Sequence, residues 1–150
     1  MQIGGRASAI LAQKRVSSVW TIDPNATVIA AIRLMDEKNV GALPVVDHGR
    51  LVGIVSERDY TRKVILKERS SQEILVSEIM TKQLFTVAPS DSVTECMRIM
   101  TEKRVRHLPV LEGADLVGML SIRDVVNWLI SAQTATMESL EQYVTGDYSA

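Results

Sequence analysis

One stretch of the chain occurs twice. Sliding residues 21–65 over residues 86–130, an offset of 65, needs no gap and matches 18 of 45 positions, where chance would give about three. Thr21, Ile22, Asp23 and Pro24 return as Thr86, Val87, Ala88 and Pro89. Leu43, Pro44 and Val45 return as Leu108, Pro109 and Val110, and Leu51, Val52 and Gly53 as Leu116, Val117 and Gly118. Ser56, Arg58 and Asp59 return as Ser121, Arg123 and Asp124. The chain has four prolines and each copy holds two of them. A unit of about 45–60 residues buries too little surface to stand well alone. Two copies packed sheet to sheet, with a shared core, pseudo-twofold symmetry and related grooves between them, are therefore expected.

Each copy reads as β-α-β-β-α, an α/β (α+β) pattern. A short β-prone run, 19–22 or 84–87, ends at a proline, which cannot continue a ladder. Apolar residues then recur at helical spacing: Val28, Ala31, Ile32 and Met35 in copy one, Val93, Cys96, Met97 and Met100 in copy two. Ser92 and Glu95 have the capping-box spacing at the second of these helices. Two apolar runs separated by a polar turn predict a hairpin, over 42–55 and again over 107–120. A second helix starts near Glu57 and near Ile122. The predicted division is a helical lead-in over 1–15, the first motif over 16–69, a linker over 70–80, the second motif over 81–132, and a C-terminal helix and tail over 133–150. The paired motifs, 16–132, form one module.

Composition removes several classes of function. A net charge of −1 over 150 residues argues against a nucleic-acid binder, which needs a basic surface to neutralise phosphates. The single cysteine, Cys96, excludes an intrachain disulfide framework and an all-cysteine zinc site, and fits a reducing compartment. No apolar run approaches the roughly 20 residues of a membrane span, and no signal-peptide core is present. The expectation is a soluble cytoplasmic protein with no nucleic-acid or membrane partner. Because the two copies account for almost the whole chain, the module is expected to be the entire protein, with its output passing through a separate partner.

The segments Gly53-Ile54-Val55-Ser56-Glu57-Arg58-Asp59 and Gly118-Met119-Leu120-Ser121-Ile122-Arg123-Asp124 each read Gly-x-x-Ser-x-x-Asp after a Leu-Pro-Val strand. In register with the repeat, they make the chain resemble a tandem pair of cystathionine β-synthase (CBS) domains, the Bateman module, of the stand-alone bacterial type. The resemblance covers about residues 16–130. It implies a regulatory module that binds an adenosyl compound such as AMP, ADP, ATP, NAD or S-adenosylmethionine, needs no cofactor for catalysis, and acts on another protein. It also implies a homodimer, since CBS pairs commonly form disc-like dimers.

Asp59 and Asp124 fall one turn inside a helix, just after a strand. A carboxylate there can accept from both hydroxyls of a ribose, the role the matching Asp has in CBS modules, with Ser56 and Ser121 close enough to help. The other reading is helix capping, worth about 1 kcal/mol. The two are compatible. Arg58 and Arg123 stand in the first turn, where free amides suit a phosphate but a cation is disfavoured. An anion to be held explains that placement, and a solvated or ion-paired arginine is the alternative. Copy two carries Arg106 and His107 where copy one has Gly41 and Ala42, and copy one carries Arg62 and Lys63 where copy two has Asn127 and Trp128. Two unequal sites follow. One gathers Asp124, Ser121, Arg106 and His107 with Arg58 and Arg62 and favours more phosphate charge. The other gathers Asp59 and Ser56 facing Gly41, Ala42 and Arg123. For Arg106 and His107 a hydrated sheet edge is the alternative. Thr21, Ile22, Val45 and Ile54 could frame one adenine slot and Thr86, Val87, Val110 and Met119 the other, although these are also core residue types.

An enzyme finds little support. The chain has no P-loop, Gly-x-Ser-x-Gly or His-Glu-x-x-His. Cys96 falls on an apolar helix face, and no metal site is expected because His107 has no second ligand at a usual spacing. Trp128 fits either an amphipathic helix or a dimer interface. Besides a non-catalytic nucleotide sensor, two readings stay open: a ligand-free interaction or dimerisation module, and a nucleotide-processing enzyme.

Overall fold

The computed structural model describes residues 4–14 and 19–132; the C-terminal stretch expected over 133–150 lies outside them. In chain order the elements are α1 (Ala7–Gln13), α2 (Val28–Lys38), β1 (Ala42–Asp47), β2 (Arg50–Ser56), α3 (Glu57–Tyr60) running into a π-helical turn (Thr61–Ile65), α4 (Val76–Ile79), α5 (Val93–Lys103), β3 (His107–Glu112) and β4 (Asp115–Ser121). A final helix, α6, occupies 122–132.

The duplicated sequence produces duplicated structure. The α2 helix buries Val28, Ala31 and Met35, and α5 buries the equivalent Val93, Cys96 and Met100, the spacing of one helix face. Thr27 Oγ1 caps α2 by accepting from Ala30 N–H, and Ser92 Oγ caps α5 by accepting from Glu95 N–H at 3.0 Å. The reciprocal half of the expected capping box is missing, because the Glu95 carboxylate is taken by Arg98. The hairpins pair antiparallel in matching register, Val45 opposite Gly53 and Val110 opposite Gly118, each with an irregularity at that point. The first hairpin turns through His48 and Gly49, both at positive φ.

The leading strands are shorter than predicted. Each shrinks to a single parallel bridge, Ile22 with Val45 and Val87 with Val110. The prolines at 24 and 89 follow at once and leave no room for a longer ladder.

The shared core also divides in two. One core holds Val28, Ala31, Met35, Leu43, Val45 and Val55 of the first copy together with Val76 and Ile79 of α4. The other holds Val93, Cys96, Met100, Leu108, Val110 and Leu120 of the second copy together with Ala7 and Ile10 of α1. The lead-ins are exchanged: the helix that precedes each copy in sequence packs on the other copy. Matching backbone bonds fix both crossings. Val76 N–H donates to Ala26 O and Val28 N–H to Ile74 O, while Ala7 N–H donates to Asp91 O and Val93 N–H to Gly5 O. The sheets meet through β2 and β4, and this reciprocal exchange gives the pseudo-twofold arrangement.

Candidate functional site

The exchange leaves a cleft of about 1550 Å³ between the copies. The end of each hairpin feeds a helix start into it. The Ser56-to-Asp59 turn forms a full capping box: Asp59 N–H donates to Ser56 Oγ at 3.1 Å, and Ser56 N–H donates to Asp59 Oδ2 at 3.0 Å. Asp124 N–H and Ser121 Oγ (3.2 Å), with Ser121 N–H and Asp124 Oδ2 (2.8 Å), repeat it. The capping reading of Ser-x-x-Asp is therefore realised in both copies, and it aims both carboxylates at the cleft.

All nine polar residues singled out from sequence line this one cleft: Ser56, Arg58, Asp59, Arg62, Arg106, His107, Ser121, Arg123 and Asp124. The two grooves expected from sequence are thus continuous. His107 faces copy one across it, since a Cβ at Gly41 would stand 3.8 Å from the imidazole Cε1. Eight lysines and arginines line the cleft against three carboxylates, although the whole chain carries a net charge of −1. Arg58, Arg62, Arg106 and Arg123 make no ion pair among the described residues. Unpaired guanidiniums in a concave surface suit an anion, because low-dielectric walls strengthen their combined field. Burial, opposed by the Asp124 charge and helped by Lys14 and Arg106, holds His107 below its usual pKa. It is neutral near pH 7, so it can hydrogen-bond there without adding charge.

The residues expected to frame adenine are mostly elsewhere. Only Met119 of the eight lies on the cleft wall; Thr21, Ile22, Ile54, Thr86, Val45, Val87 and Val110 do not. Val45 and Val110 are fully buried and Val87 nearly so, in the two cores. The apolar wall is made instead by Trp20, Val40, Pro44, Val105 and Met119. Trp20 is held by the Lys38 ammonium, 4.2 Å over its ring, and the equivalent Lys103 covers Phe85.

Three residues at the carboxylates were not assigned from sequence. Lys63 pairs with Asp59 Oδ1 at 3.1 Å, and its spacing of four residues was the available signal. Thr81 Oγ donates to the same oxygen at 3.1 Å. Lys14 Nζ lies 2.9 Å from Asp124 Oδ2. Thr81 and Lys14 arrive through the exchanged lead-ins, which no local pattern announces. Cys96 is fully buried, and burial above all, with the Asp91 and Glu95 charges, pushes its thiol up to about 11, so it is no nucleophile. Among the described residues no group of three or more metal-ligating side chains occurs, and no helix is long and apolar enough to cross a membrane. Trp128 serves an intramolecular contact: its ring covers Gly5, and its Nε1–H donates to Gly4 O at 3.1 Å.

Comparison with known proteins agrees with this architecture. The family model described as the CBS domain matches residues 14–65 and 76–131. A mitochondrial CBS domain-containing protein of Arabidopsis thaliana, CBSX3, is 42% identical over 127 residues, covering 81% of this chain and 62% of its own length. The CBS domain-containing protein YhcV of Bacillus subtilis is 33% identical over 119 residues, covering 79% of this chain and 84% of its own. The chain thus spans less than two thirds of the plant relative. The solved structure of a protein with CBS domains from Burkholderia ambifaria is 49% identical and superposes with a TM-score of 0.83, over 86% of this chain and 96% of that one.

Proposed function

The chain belongs to the CBS domain family, as a tandem pair, and we propose that it is a non-catalytic sensor that binds an adenine nucleotide (AMP, ADP, ATP or NAD) in the cleft between its repeats and acts on a separate partner protein. CBS pairs are in general regulatory modules. The observation that carries the nucleotide reading is the joining in one cleft of both motif carboxylates and four arginines that make no ion pair among the described residues. A nucleotide presents a vicinal diol and a polyanion joined by a few bonds. A carboxylate accepts from the diol, and arginines bind phosphate with charge-assisted, fork-shaped contacts. Binding shifts the partner only to the extent that the ligand favours one arrangement of the module over another. At a Kd of about 1 μM the available free energy is about 8 kcal/mol, so a small differential suffices.

A homodimer is part of the same reading. Ile122, Val126 and Ile130 form an exposed apolar stripe on α6, and Ile65 and Leu66 are exposed at the matching end of the first copy.

Titration calorimetry with AMP, ATP and NAD tests the proposal. Heat of binding is expected with at least one of them, and Asp124→Ala is expected to weaken it by about tenfold or more, the loss of a charge-assisted contact. No heat and no thermal shift with any of the three overturns it.

A further inference from the structure

The two motif carboxylates differ in what they have left to offer a ligand. Asp59 is saturated. Its Oδ2 accepts from the Ser56 N–H and Oγ–H, each at 3.0 Å, and its Oδ1 accepts from Thr81 Oγ–H and Lys63 Nζ, each at 3.1 Å. Asp124 is not. The Ser121 N–H and the Lys14 ammonium both fall on Oδ2, at 2.8 and 2.9 Å, and Oδ1 has no partner among the described residues. Here the two halves of the cleft diverge despite their common sequence.

Lys14 is outside the repeated stretch, at the C-cap of α1. It reaches copy two because α1 is seated there, with Ala7 and Ile10 fully buried in that core and Leu11 filling the space that Gly118 leaves by having no side chain. Its ammonium makes a second bond, to Met119 O at 2.8 Å. The lysine is one third exposed and pairs with one carboxylate oxygen only. Its flexible four-carbon stem lets the charge be redirected over several ångströms at little cost. Arg106 and Arg58 line the same cleft.

Resting on the nucleotide reading above, we propose that Lys14 is the specificity-determining residue of the Asp124 site: the ribose diol takes the free Oδ1, and the ammonium beside it on Oδ2 turns to the ligand's phosphates. A ligand without phosphate uses Oδ1 and gains nothing from the ammonium. A ligand with phosphates gains the cation as a further contact. Lys14 thereby makes the cleft discriminate nucleotides from nucleosides, and it ties occupancy of copy two to the lead-in helix of copy one.

Adenosine and ATP differ only in the phosphates, which isolates what Lys14 contributes. Calorimetry of the full chain with adenosine and with ATP, on wild type, Lys14→Met and Lys14→Arg, reads both. In Lys14→Met, ATP is expected to bind about tenfold more weakly, the loss of a charge-assisted contact. Adenosine is expected to bind as in wild type, because the Oδ1 it uses carries no contact from Lys14. Lys14→Arg is expected to keep ATP binding near wild type. A Lys14→Met protein that loses affinity for both ligands by the same factor, or changes for neither, overturns the proposal while leaving the nucleotide reading intact. A wild-type chain that binds neither adenosine nor ATP overturns both.

Discussion

Asp124 and His107 illustrate how strongly a side chain's chemistry depends on its immediate neighbours. Both were marked by type and position, yet one keeps an oxygen without a partner among the described residues while burial lowers the pKa of the other. The sign of the His107 effect is definite. A histidine whose folded pKa lies below its unfolded value of about 6.5 binds fewer protons in the folded state than in the unfolded one. Its contribution to stability is complete above that unfolded value and is lost as pH falls toward the depressed folded value. The melting temperature is therefore expected to fall more between pH 7 and 5.5 in wild type than in His107→Asn, measured by thermal denaturation of each across that range. Parallel curves would show that His107 does not titrate between the folded and unfolded states. Binding of a polyanion beside His107 opposes the depression, so ATP is expected to narrow the gap.

The exchanged lead-ins depend on two glycines at equivalent positions in β2 and β4. A Cβ at Gly53 would stand 2.7 Å from Met80 Sδ and 3.1 Å from the backbone oxygen of Thr81. A Cβ at Gly118 would stand 2.7 Å from both Cδ atoms of Leu11. Leu11 can turn its tips aside. The Thr81 oxygen cannot yield as easily, because Ile54 N–H donates to it at 3.0 Å and Thr81 N–H donates back to Ile54 O at 2.8 Å. Gly53→Ala is therefore expected to be the more damaging change, by about 1–3 kcal/mol for overpacking a fixed backbone, with Gly118→Ala well below it. Urea unfolding of the two variants checks the order. An equal loss would mean that the crossing at Thr81 is as pliable as the one at Leu11. The same crossing carries Thr81 Oγ to Asp59, so strain there also loosens the saturated carboxylate.

At the scale of the whole molecule, the stripe on α6 is an apolar face exposed among the described residues. Ile122, Val126 and Ile130 are each 45–55% exposed at a spacing of four residues, one face of a helix. Ile122 also lines the cleft, so a second copy on this face would lie beside the ligand site. On the proposed dimer reading, Val126→Asp is expected to yield a monomer in analytical ultracentrifugation without lowering the melting temperature at the monomer limit, because Val126 contributes little to either core. A wild-type chain that sediments as a monomer at high concentration would remove the dimer.

Much of this was legible in the order of residues. The offset of 65 announced two equal units, helical spacing named the buried faces of α2 and α5, and the paired Gly-x-x-Ser-x-x-Asp segments pointed to Asp59 and Asp124, with Arg58 and Arg123 beside them. These are properties of local chain geometry, and a duplicated pattern repeats them whatever surrounds it. The sequence did not show which copy each lead-in helix would cover, that the two grooves would run together, or that Val45, Val87 and Val110 would go to the cores rather than line an adenine slot. Nor did it distinguish a carboxylate closed on both oxygens by Lys63, Thr81 and Ser56 from one whose contacts, Lys14 and the Ser121 N–H, share a single oxygen. Those outcomes rest on contacts between segments far apart in sequence. They were settled when both helices exchanged partners to bury apolar faces that neither copy could cover by itself.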